Sequence, residues 1–228
     1  MIADLLPSTV ACAYTTADDA PVGALFAEEA ALVGGAVVGR QREFAAVRGC
    51  ARRAMAALGL PAVPVLSGPR GEPRWPDVVV GSMTHCAGYR AAAVARTVDV
   101  RALGIDAEPH APLPGDVLAA VALPAERARV LSASRNGADR VVHWDRLLFS
   151  AKESVYKAWY PLTGTRLDFE DADIEFRGTP GSGPEAVPGG VFRARLLRTA
   201  PGAPAAFDGR WLVRDGIALT AVVVPAGG

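Results

Sequence analysis

Gly104-Ile105-Asp106-Ala107-Glu108 is the stretch on which the reading of this chain turns. Apolar runs over residues 91–94 and 98–105 lead into it, and Pro109 and Pro112 stop regular structure just beyond. On a strand, residues two apart point to the same side. The spacing therefore predicts that Asp106 and Glu108 project together from the end of a buried strand, with Ala107 facing the other way. Two carboxylates so close repel unless a cation lies between them. Oxygen-only ligands suit a hard ion such as Mg2+, which leaves room for water and phosphate oxygens. An ordinary strand end with two solvated acids has the same pattern, and a lone DxE does not choose between them.

Composition narrows the classes. The chain has 228 residues, half of them hydrophobic, enough for one large domain or two small ones. Its 24 basic and 24 acidic side chains cancel, which argues against a general nucleic-acid or membrane-surface binder but allows a local basic pocket. Cys12, Cys50 and Cys86 are odd in number and lack paired spacing. They make neither a disulfide framework nor a zinc site and fit a reducing cytosol. No basic segment followed by a long apolar run opens the sequence, so a cytoplasmic protein without a signal peptide is expected. The longest apolar-rich stretch, residues 30–39, is too short to span a bilayer.

Upstream of the acids, residues 1–20 read as a strand and turn, and residues 21–58 as helix in two pieces broken near Gly34-Gly35. Phe44, Val47, Ala51, Ala54, Met55 and Leu58 form one apolar stripe, and Gly59 and Pro61 end the second piece. Steps of 100° put Arg40 on that stripe and Arg48 on its edge. An arginine there either meets an anion or snorkels to solvent from the helix start. Residues 67–77, dense in Gly and Pro, read as a loop or tight hairpin. Residues 78–80 and 90–95 read as short strands around a loop, 81–88. That loop offers Ser82, Thr84, His85 and glycine-freed N–H groups to phosphate oxygens. His85 taken alone reads equally as a turn histidine bonded to backbone.

Downstream, residues 124–131 read as a short helix, 132–137 as a loop, and about 139–160 as a long helix stopped by Pro161. Leu148, Ala151, Val155, Ala158 and Trp159 are its core stripe. Glu153 and Lys157 lie one turn apart, facing away from the stripe, a spacing that also suits a plain i,i+4 ion pair. Lys152 emerges beside apolar neighbours. Residues 173–176, 191–198 and 211–224 carry strand patterns, with a hairpin turn at Asp215-Gly216 and a flexible loop over 178–190.

Five pieces in order resemble the Sfp-type 4'-phosphopantetheinyl transferases, closest to the enterobactin synthetase component D-like and actinobacterial branch. They are Arg40 with Phe44-Ala-Ala-Val-Arg48-Gly-Cys-Ala-Arg52, the turn Gly68-Pro-Arg-Gly-Glu-Pro-Arg-Trp-Pro76, Ser82-Met-Thr-His-Cys-Ala-Gly-Tyr-Arg90, the Gly104–Glu108 strand, and Phe149-Ser-Ala-Lys-Glu-Ser-Val-Tyr-Lys157-Ala-Trp159. Single motifs of this kind are weak, but five in order are strong. The resemblance implies an α+β fold of two pseudo-twofold related α/β halves, residues 1–103 and 104–228, with the active site in the cleft between them. It implies a monomer that moves the phosphopantetheine arm of coenzyme A to a serine of an apo acyl or peptidyl carrier protein. Mg2+ is the implied metal, with Mn2+ as an alternative. Residue by residue, it implies Asp106, Glu108 and Glu153 as metal-binding acids. Glu153 is also a candidate base, directly or through a metal-bound water. Lys152 and Lys157 would hold the pyrophosphate, and Arg40, Arg48, Thr84 and His85 the 3'-phosphate, with Arg70 near the coenzyme.

Two positions depart from the family pattern. Glu72 stands where many relatives carry lysine, and Ala107 where others carry a larger or polar residue. Arg127, Arg129, Arg135 and Arg140 could meet an acidic carrier helix or form an ordinary solvated surface. A non-catalytic binding module would have lost an acid or Lys157, and neither is lost. A different phosphoryl-transfer enzyme would show a GxxxxGK loop, and there is none.

Overall fold

The computed structural model describes residues 1–17, 21–135, 142–179 and 187–227. The acid-bearing segment is strand β6, Val100–Pro109. It forms one edge of a five-stranded antiparallel sheet with β7 (Ala172–Thr179), β8 (Gly189–Leu196), β9 (Ala206–Arg214) and β10 (Ile217–Pro225). The order is β6-β10-β9-β8-β7, and Asp106 lies opposite Thr220. The β9–β10 hairpin turns at Asp215-Gly216, both at positive φ, as expected from the dipeptide.

A second, three-stranded sheet has the order β1-β5-β4, from β1 (Val10–Thr15), β4 (Val79–Cys86) and β5 (Tyr89–Arg96). Between β1 and β4 the chain forms α1 (Ala27–Val33), α2 (Val38–Ala57) and a two-residue hairpin, β2 (Leu66–Ser67) with β3 (Pro73–Arg74). Beyond β6 come α3 (Val117–Val121), α4 (Pro124–Ala133) and α5 (Trp144–Thr163).

The layers follow from burial. Cys50, Ala51, Ala54 and Met55 of α2 pack on Ala92 and Val94 of β5. The opposite face of β5, Tyr89, Ala91, Ala93 and Ala95, packs on Leu103, Ile105 and Ala107 of β6 and Leu219 of β10. The far face of the larger sheet meets Leu147, Leu148, Ala151, Val155, Ala158 and Trp159 of α5. The molecule is thus helix, sheet, sheet, helix. β5 is buried on both faces, and its alanines keep the layers close. Gly104 does the same for the last layer, because a Cβ there would meet Ser154 O at 1.9 Å.

The structure corrects several sequence expectations. Residues 81–86 are strand, not loop, and only Ala87-Gly88 turns between β4 and β5. Ser82 and Thr84 are polar yet inward-facing, which hid the strand alternation. Their hydroxyls accept the N–H groups of Ile105 and Ala107 at 3.1 and 3.0 Å. Pro161 does not stop α5, which runs to Thr163 and ends on Gly164 in the left-handed conformation. Helix α3, over Val117–Val121, is an element the sequence reading did not include. The division at residues 103–104 falls inside β6, and the change of sheet comes at the turn over 97–99. The expected helix start at 139–141, Arg140, and residues 180–186 of the expected loop lie outside the described residues.

A buried glutamate anchors the long helix of each half. Glu29, fully buried in the first turn of α1, accepts the N–H groups of Phe26 and Val65 and pairs with Arg52 of α2 at 2.9 Å. Glu126, 1% exposed in the first turn of α4, accepts the N–H groups of Leu123 and Ile174 and pairs with Lys152 of α5 at 2.7 Å. Lys152 Nζ also donates to Phe169 O and Ala172 O, at 2.6 and 2.9 Å. This corrects the assignment of Lys152 to the pyrophosphate. Its ammonium is 3% exposed and fully engaged behind α5, where it does for the second half what Arg52 does for the first.

Lys152→Met should therefore leave Glu126 buried and uncompensated and lower stability by about 3–5 kcal/mol, read as a fall in the urea midpoint. Gly104→Ala should cost about 3 kcal/mol by forcing α5 off β6, measured the same way.

Candidate active site

A cleft of ≈ 590 Å³ opens between the halves. One wall is Arg40, Phe44 and Arg48 of α2 with Arg70, Glu72 and Trp75 of the hairpin segment; the floor is β4; the other wall is Glu153, Tyr156, Lys157 and Tyr160 of α5. These four α5 residues share one face because their spacing is i, i+3, i+4, i+7. The tyrosines were missed, although that spacing was readable once Glu153 and Lys157 had been singled out.

Asp106 and Glu108 project to the α5 side of β6 as expected, while Ala107 is buried between the sheets. Lys157 Nζ reaches Asp106 Oδ1 at 2.7 Å and Ile105 O at 3.2 Å. Thr84 donates its hydroxyl to the same Oδ1 at 3.2 Å. Asp106 Oδ2 is buried with no hydrogen-bond partner. Glu108 accepts from Arg146, a residue that sequence reasoning passed over, at 2.9 Å. Burial pushes Glu108 above the usual carboxylate range, and Asp106 adds to that, while Arg146 opposes it. Burial also raises Glu153; Lys157 opposes this and Asp106 adds to it. Glu108 and Glu153 therefore both feel Asp106.

Among the described residues no three such side chains already form a cluster able to hold a metal ion. Their donor set still fits a hard cation. It consists of carboxylate oxygens, one of them buried and orphaned, and of the three acids Glu153 lines the cleft. Lys152 takes no part.

At the mouth, Arg40 is half-exposed and pairs with Glu43, and its guanidinium touches His85 Nε2. Arg40 thus overhangs the cleft from the first turn of α2 and is not on the buried stripe. Burial lowers the His85 pKa, against the raising effect of Glu43. Arg48 is 4% exposed, lies over the Phe44 ring at 3.1 Å, and donates Nε–H to Val65 O at 3.0 Å. Burial lowers it to about 10. Arg70 lines the cleft beside the Tyr156 phenol. The Glu72 carboxylate accepts the Arg70 N–H at 2.9 Å and fills the space over Gly68, so it closes its own turn. Thr84 lines the cleft, yet its hydroxyl serves Asp106 and Ala107 and is not free for a phosphate. The structure thus lines one cleft with Arg40, Arg48, Arg70, His85, Glu153 and Lys157; Asp106, bonded to Lys157, and Glu108 are not among its lining residues.

Residues 28–95 match the 4'-phosphopantetheinyl transferase N-terminal domain, and residues 102–206 match the 4'-phosphopantetheinyl transferase superfamily. The chain is 54% identical over 232 residues to 4'-phosphopantetheinyl transferase Svp of Streptomyces mobaraensis, covering 99% of this chain and 90% of the relative. It is 47% identical over 234 residues to 4'-phosphopantetheinyl transferase PptT of Mycobacterium tuberculosis, covering 98% of each. Enterobactin synthase component D of Salmonella typhi is 34% identical over 121 residues, covering 53% of this chain and 48% of the relative. With both halves matched and full-length relatives near half identity, this chain belongs to the 4'-phosphopantetheinyl transferase family.

Proposed function

We propose that this chain transfers the phosphopantetheine arm of coenzyme A to a serine hydroxyl of apo acyl or peptidyl carrier proteins. The observation that carries it is one cleft lined by Arg40, Arg48, Arg70 and His85 together with Glu153 and Lys157, with the buried Asp106 bonded to Lys157. A ligand that carries both a phosphate and a pyrophosphate matches that set of cations and acids. No described helix is long and apolar enough to cross a membrane. We place the enzyme in the cytoplasm, acting as a monomer.

Arg40, Arg48 and His85 receive the 3'-phosphate, with Arg70 beside the coenzyme. Asp106, Glu108 and Glu153 hold Mg2+, or Mn2+ in its place. When bound, the ion supplies charge that balances the pyrophosphate and the departing group. Lys157 can move its ammonium from Asp106 to a pyrophosphate oxygen and stabilise charge there as the bond breaks. The serine Oγ attacks the phosphorus that bears the pantetheine arm. The bond to adenosine 3',5'-bisphosphate breaks, and the serine proton passes toward Glu153, directly or through water.

The test is the intact mass of an apo carrier protein after incubation with this chain, coenzyme A and Mg2+. A gain of about 340 Da is expected, one phosphopantetheine ester, and EDTA should abolish it. Glu108→Ala should abolish the gain while the protein stays folded. Lys157→Met should slow transfer roughly 100-fold or more, whereas Lys152→Met, where still folded, should turn over near the wild-type rate. Normal turnover by Glu108→Ala would refute the assigned acids.

A further inference from the structure

Arg146 stands in the first turn of α5, outside the cleft-lining residues, and all three of its donor groups are used. Nη1 donates to Glu108 Oε2 at 2.9 Å, Nε to Ala111 O at 3.1 Å, and Nη2 to Pro112 O at 2.9 Å. Its neighbour Asp145 accepts the N–H of Leu113 at 2.8 Å. The start of α5 thus grips the end of β6 and the segment that follows it. A planar guanidinium bound at three points has one orientation, so the Glu108 carboxylate bonded to it is held in one orientation as well.

We propose that Arg146 is the positioning residue of the acid cluster, engaging Oε2 of Glu108 and leaving Oε1 for the metal ion. The inference rests on the metal reading above. Metal-binding carboxylates are oriented by hydrogen bonds from residues that never touch the ion, and losing such a partner weakens metal binding roughly 10- to 100-fold. Asp106 is fixed in the same manner, with Thr84 and Lys157 on Oδ1 and Oδ2 buried without a partner. Each of these two acids therefore has one oxygen restrained by the protein.

The full chain, saturated with coenzyme A, is titrated with Mn2+, and free Mn2+ is read by electron paramagnetic resonance. Coenzyme A affinity is measured separately without metal. Arg146→Met keeps the stem and removes the donors; it should raise the Mn2+ Kd at least tenfold and leave metal-free coenzyme A affinity within about twofold. Arg146→Lys keeps a donor and a charge and should recover most of the loss. Asp145→Ala loosens the Leu113 segment with Arg146 in place, and its Mn2+ affinity should stay near wild type. An unchanged Mn2+ Kd in Arg146→Met overturns the proposal. An equal loss in Asp145→Ala also overturns it, because loop rigidity would then explain the effect. Wild-type protein that binds coenzyme A but no Mn2+ would overturn the metal reading itself, and this inference with it.

Discussion

The structure depends on two hydroxyl bridges between its sheets. β6 pairs on one edge with β10, and its other edge presents the N–H groups of Ile105 and Ala107 to the interior. A buried donor left without a partner costs about 1–3 kcal/mol. Ser82 and Thr84 of β4 satisfy both, at the place where a further strand would otherwise pair. That choice sets the register of one half against the other. It puts Thr84 beside Asp106, and one residue later it brings His85 to Arg40. The contacts of Asp106 and of Arg40 are therefore both set by a single stretch of β4.

Charge inside the cleft is balanced locally before any ligand arrives. Lys157 faces Asp106, Arg146 faces Glu108, and Glu43 sits between Arg40 and His85. Without these partners, burial and mutual repulsion would drive the acids toward their neutral forms, as the raised Glu108 and Glu153 already indicate. The pairs at the cleft are unlike the two glutamate anchors. Glu29 and Glu126 have both oxygens engaged by backbone N–H groups and a cation and hold helices in place. At the acid cluster only one oxygen of Asp106 is engaged, and its other oxygen is buried without a partner.

Much of this was legible in the sequence, for stated physical reasons. Period-two spacing put Asp106 and Glu108 on one side of a strand, and period-3.6 spacing separated the core stripe of α5 from Glu153 and Lys157. The misses at Lys152, at Ser82 and Thr84, and at Arg146 share a cause, since each turns on a polar group whose partner lies far away in sequence. Lys152 looks like a catalytic lysine beside Glu153 until Glu126, 26 residues earlier, is seen to claim it. Ser82 and Thr84 look like loop residues until the β6 N–H groups appear opposite them. Arg146 gave no signal at all, because two of its three partners are backbone carbonyls, and backbone leaves no trace in side-chain patterns. Pro161 was read as a stop, but it stands in the last turn, only three residues before Gly164 closes the helix.

The hydroxyl bridges have a mechanical consequence. A ladder of strand hydrogen bonds resists sliding because every bond must break in register. A serine or threonine hydroxyl instead sits on a side chain, and small adjustments of that side chain can follow a neighbouring strand while the bond is kept. The joint between β4 and β6 is thus held by side-chain hydroxyls, in a molecule whose halves each carry a helix anchored on its own glutamate. Ser82 and Thr84 of that joint also line the cleft, so what joins the halves and what floors the site are the same two residues.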